Sequence, residues 1–155
     1  RAGPLQPVIY LPHNTIASLR VYLVAAIGPS TGPALVVLFA CDTSAVVGID
    51  DSETDDARIL RLPCVGMLPP SFVDFALARQ HAAGVMIAGC AESDCQHRLG
   101  NEWTIERMAR RRDPYLRRRV DDRRLCLSWL PRGSSRRRQR ALAEFRAALA
   151  EIDDE

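Results

Sequence analysis

The sequence predicts an α/β fold: a small three-layer sandwich, with a four-stranded, mostly parallel sheet in the order 2-1-3-4, helices on both faces, and an N-terminal extension. Three observations predict it. From residue 34 onward, short apolar runs alternate with longer stretches of helical spacing. Two of those runs, ALVVLFAC (34–41) and GVMIAGC (84–90), carry almost no polar residue, as strands covered on both faces require. The chain has 155 residues and is 47% hydrophobic, enough to build one core. Strands alternating with helices and joined by right-handed crossovers then give a parallel sheet between helical layers.

The elements follow in order. Residues 1–33 are rich in Pro and Gly and read as an extension or linker, with LRVYLVAAI (19–27) inside it as a strand or a short helix. ALVVLFAC is the first strand of a domain spanning 34–152. ARILRLPC (57–64) is the second, stopped by Pro63. PPSFVDFALARQHAAG (69–84) is a helix started by Pro70 and Ser71 and stopped by Gly84. GVMIAGC is the third strand. Residues 101–121 form a second helix, broken near Pro114, with Gly100 and Asn101 as its turn and N-cap. RRLCLSWLP (123–131) is the fourth strand. SSRRRQRALAEFRAALAEI (134–152) is the last helix, capped by Ser134 or Ser135.

Charge and cysteine usage narrow the function. No apolar run reaches the roughly 18–20 residues of a membrane span. The start shows neither an initiator Met nor a secretion signal, so the chain reads as a segment of a longer protein or a processed one. All 21 basic residues are Arg, and the net charge of +2 conceals an asymmetry. Residues 42–56 hold six acids and no Arg, whereas 107–146 hold 15 Arg against four acids. That field suits an acidic partner surface or a polyanion. The Arg triplets at 110–112, 117–119 and 136–138 come without a helix-turn-helix, a zinc-finger spacing or an aromatic-rich strand. They read first as a solvated or partner-docking face and only second as a nucleic-acid binder. No catalytic triad or phosphate loop is present, and GPSTGP lacks the lysine and the following helix.

Five widely spaced cysteines do not form a secreted disulfide framework. Reduced thiols of a cytoplasmic protein or metal-bound thiolates fit better. Cys41, Cys64 and Cys90 each end a predicted strand, and Cys95 lies in the loop beyond the third. With strand order 2-1-3-4, those three ends are neighbours at the carboxyl edge of the sheet, where open α/β folds bind ligands. Four soft thiolates converging there suit zinc or an iron–sulfur cluster. A thioredoxin-type redox pair is disfavoured, because Cys-x-x-Cys is absent. Cys126, mid-strand, reads as a packing residue.

The stretch RLPCVGMLPPSFVDFALARQHAAGVMIAGCAESDCQHRLGN, followed by Arg107 and RLCLSWL, resembles the methyl-viologen-reducing hydrogenase delta subunit family over roughly residues 35–150. GCAESDCQHRLGN is its most specific part. The resemblance implies a [2Fe–2S] cluster and a non-catalytic subunit or domain relaying electrons. The relay would run between a hydrogenase or dehydrogenase module and a heterodisulfide-reductase-like flavoprotein. Cys41, Cys64, Cys90 and Cys95 fall on the family's cysteine positions. The run CDTS departs from the family's Cys-x-x-Cys, placing Ser44 where a second cysteine stands; serine oxygen is a harder ligand than thiolate. His97 is a candidate to hydrogen-bond and tune the site, and Arg107 to face it or a partner. The competing readings are a zinc-holding or cluster-less docking domain and an Arg-rich nucleic-acid binder.

Overall fold

The computed structural model describes residues 15–27, 35–43 and 57–153. Ser44, the acidic stretch through residue 56 and most of the first 34 residues lie outside them. Within them are α1 (Ile16–Ile27), β1 (Val36–Cys41), β2 (Ala57–Leu62), α2 (Pro70–Arg79), β3 (Gly84–Cys90), α3 (Gly100–Met108), β4 (Leu125–Leu130) and α4 (Ser135–Asp153). The four strands form one sheet in the order β2-β1-β3-β4, as the sequence predicts. Every pairing is parallel, with Val36 beside Ala57 and Gly84, and Cys90 beside Leu130.

The central strands are buried throughout because alternate residues enter two separate clusters. Val37, Phe39, Cys41, Val85 and Ile87 face one side, where α1, α2 and α3 add Leu19, Leu23, Phe72, Val73 and Met108. Val36, Leu38, Ala40, Met86 and Ala88 face the other, where α4 adds Leu142, Phe145 and Leu149. This two-sided burial explains the unbroken apolar runs. β4 lies at the sheet's edge, and only Leu130 in it is fully buried.

One open local reading is resolved and two others change. The segment 19–27, left open between strand and helix, is helical, and α1 packs into the core through Leu19 and Leu23. α2 ends at Arg79, and Gly84 instead opens β3 beneath the Phe145 ring and Leu149. The second predicted helix stops at Met108, well before Pro114. Arg110 takes the left-handed conformation (φ 61°), while the amides of Arg110 and Arg111 donate back to the carbonyls of Arg107 and Glu106. That is the Schellman ending, built here on arginine where glycine is usual. Finally, Ser134 precedes α4 with its hydroxyl donating to the Pro131 carbonyl. No helix among the described residues is long and apolar enough to cross a membrane.

Candidate metal centre

The carboxyl edge of the sheet carries the candidate site. Parallel pairing in register brings the ends of β1 and β2 side by side, so Cys41 stands opposite Leu62 and Cys64 follows two residues later. Residues 65–67 form a single 3₁₀ turn, and its first two amides point at two different sulfurs. The Val65 amide donates to Cys41 Sγ and the Gly66 amide to Cys64 Sγ, both at 3.3 Å. At the end of β3, the Thr43 hydroxyl lies 3.7 Å from Cys90 Sγ.

The ionisation of these thiols is linked. Cys41 and Cys95 both lower the Cys64 thiol, while Cys64 and Cys90 raise that of Cys41. Hydrogen bonding from the Cys41 thiol, then from the Gly66 amide, together with the nearby charge of His97, holds the Cys64 thiol down at about 6, against the opposing effect of burial. Cys41, which supplies that hydrogen bond and is itself buried, is pushed well above the ordinary thiol range. Of the two, Cys64 is therefore the readier to ionise.

Two glycines make room for Cys64 and Cys95. A Cβ on Gly100 would lie 2.6 Å from Cys64 Sγ and 3.6 Å from Cys95 Sγ. A Cβ on Gly66 would lie 2.8 Å from the Gly100 Cα. The first turn of α3 thus rests against the Cys64 turn with no side chain between, and its amide-rich end adjoins the sulfurs. The chemistry of the donor set fits a soft, sulfur-binding metal group, and the glycine cradle keeps its flank clear. Among the described residues, no three His, Cys, Asp or Glu side chains are spaced as a ready cage for a single ion.

Other residues named from the sequence find distinct places. The Arg107 guanidinium donates to the Gly66 carbonyl at 2.7 Å, so it braces the turn that presents both amides. His97 is exposed and reaches Cys64 through its charge. Cys126 lies against the opposite cluster, and burial raises its thiol. Ser44 lies outside the described residues. Asn101 is not a cap: it lies within the first turn of α3, and its side-chain amide donates to the Cys90 carbonyl at 2.5 Å. Sequence reasoning missed Gly66 and Thr43, although both stand two residues past a cysteine. On the far flank of α3, Glu92, Arg98, Asn101, Ile105 and Trp129 line a cavity of about 510 Å3.

Comparison with known proteins identifies relatives of the chain. Residues 36–153 match the family model described as methyl-viologen-reducing hydrogenase, delta subunit. The chain is also similar to an iron-sulfur subunit of the F420-non-reducing hydrogenase of Archaeoglobus profundus. The two are 25% identical over 95 residues, covering 61% of this chain and 69% of that protein. With the match running from the start of β1 to the end of α4, the chain belongs to the methyl-viologen-reducing hydrogenase delta subunit family.

Proposed function

We propose that residues 34–152 form an iron–sulfur electron-transfer unit in which Cys41, Cys64, Cys90 and Cys95 hold a [2Fe–2S] cluster. The single observation that carries the reading is the place of Cys41, Cys64 and Cys90 at or just past the ends of three neighbouring strands, with Cys95 in the loop beyond and backbone amides aimed at two of the sulfurs. A [2Fe–2S] cluster takes four cysteine ligands spread over two irons, so it does not require a single-ion cage. Such a cluster supplies one-electron chemistry when bound. The chain's own residues do the rest. The depressed Cys64 thiol gives up its proton readily. The Val65 and Gly66 amides neutralise sulfur charge and so favour the reduced, more negative state. Arg107 fixes the direction of those amides. The unit carries no catalytic residue, and its partners are redox subunits: a hydrogenase or dehydrogenase module on one side and a heterodisulfide-reductase-like flavoprotein on the other. The compartment that fits reduced thiols is the cytoplasm.

The test is anaerobic purification, reconstitution with iron and sulfide, metal analysis and electron paramagnetic resonance of the reduced protein. About two irons and two labile sulfides per chain are expected. Cys90→Ser and Cys95→Ser lose that content, while Cys126→Ala keeps it. A colourless protein with about one zinc, lost to chelator together with the fold, would replace this reading with a structural zinc domain.

A further inference from the structure

The helix preceding the matched region carries a feature that an electron-transfer site does not explain. α1, IASLRVYLVAAI, is apolar nearly all round, yet among its described side chains only Leu19 and Leu23 enter the core. Val21 is 71% exposed and Ile16 63%, with Tyr22 and Val24 also open to solvent. A helix apolar on every side is ordinarily covered on every side. Ile16, Arg20 and Val24 follow one another at four-residue spacing and so form one row along the helix. Ile16 and Arg20 of that row border a concavity of about 320 Å3 between α1 and α2, ringed by Arg20, Arg79, Arg117 and Arg119. The acid in it, Asp74, is engaged by Arg119 through two hydrogen bonds of 2.6 Å, with Arg117 at 3.6 Å. Arg20 lies over the Phe75 ring, 5.1 Å from its centre, which holds its charge at the rim of the concavity.

We infer that the outer face of α1 and this arginine-rimmed hollow form a docking surface for a partner protein segment with an apolar centre and acidic flanks. Charge complementarity selects the occupant. Four guanidinium groups against one carboxylate demand carboxylates in return. Between those arginines stand Ile16, Phe72 and Phe75, an apolar centre that a phosphate backbone would leave uncovered, so nucleic acid fits poorly. A lipid surface is flat, whereas a hollow takes an inserted side chain, as buried anchors at protein interfaces do.

The test uses the full chain and a synthetic amphipathic helix with leucine on one face and glutamate on the flanks, beside a twin with lysine for glutamate, by fluorescence anisotropy. The glutamate peptide binds and the lysine twin does not. Arg79→Glu weakens binding about fivefold or more and makes it less sensitive to salt. Val21→Asp, at an open position that leaves the core intact, weakens it about tenfold or more. Equal binding of the two peptides, no binding by either, or wild-type affinity in both variants overturns the proposal. So does a surface that instead binds phosphatidylserine vesicles or duplex DNA, with loss of that binding in the same two variants.

Discussion

Replacing Gly100 by alanine sets two physical effects against each other with opposite signs. Gly100 is the first residue of α3 and does not take a positive φ, so its backbone suits alanine. Helix propensity alone would then predict a gain of about 0.5–1 kcal/mol. The new Cβ, however, would lie 2.6 Å from Cys64 Sγ, about 1 Å inside ordinary contact distance. Neither side gives way cheaply. Cys64 is tied by the Gly66 amide, and the Gly66 carbonyl is tied to Arg107. Overpacking of this kind costs about 1–3 kcal/mol, so the net change is a destabilisation of up to about 2.5 kcal/mol, centred near about 1 kcal/mol. Urea unfolding of the metal-free protein measures it, and iron content after reconstitution measures the effect on the cysteine site. The expected result is a lower unfolding midpoint together with reduced iron. A variant as stable as the parent or more so, with full iron content, would refute the cradle argument.

Arg107→Met leaves the Gly66 carbonyl without its donor and loosens the 65–67 turn; a loss of about 1–3 kcal/mol is expected in thermal unfolding. In the reconstituted protein, weaker amide–sulfur hydrogen bonds shift the midpoint potential downward, read by redox titration. Asp74→Asn removes the charge that Arg119 holds and costs about 1–2 kcal/mol. The same pair sets an acid limb. Its hydrogen bond to Arg119 depresses the Asp74 carboxyl, so the contribution is complete above the unfolded value of about 3.9 and fades as pH falls through the lower folded value. Acid unfolding followed by circular dichroism should therefore be displaced in the Asn variant. In the metal-free chain, the Cys64 thiolate forms above about pH 6, so mass spectrometry after iodoacetamide labelling should show Cys64 modified at neutral pH, ahead of Cys41.

Much of the architecture is legible in the linear chain because burial on two faces leaves a local mark. β1 and β3 are apolar at every position, and Pro70 opens α2 where its missing amide costs nothing. With the order 2-1-3-4 supposed from the sequence, parallel pairing puts the carboxyl ends of β1, β2 and β3 at one edge, and Cys41, Cys64 and Cys90 at or just past them. The early end of α3 had no such mark, because its left-handed closing residue is Arg110 and the expected glycine is absent. α1 was equally obscure, since its apolar residues show no clear helical face.

By itself, the order of residues determined which segments would be strands, which thiols would stand at their carboxyl ends, and where positive charge would accumulate, because each depends on neighbours in the chain. Folding in three dimensions decided that Gly66 meets Gly100, that Asn101 turns to the Cys90 carbonyl, and that Arg119 reaches Asp74 across 45 positions. These are contacts between remote parts of the chain, and distance in sequence carries no trace of them until the sheet brings its edges and helices together.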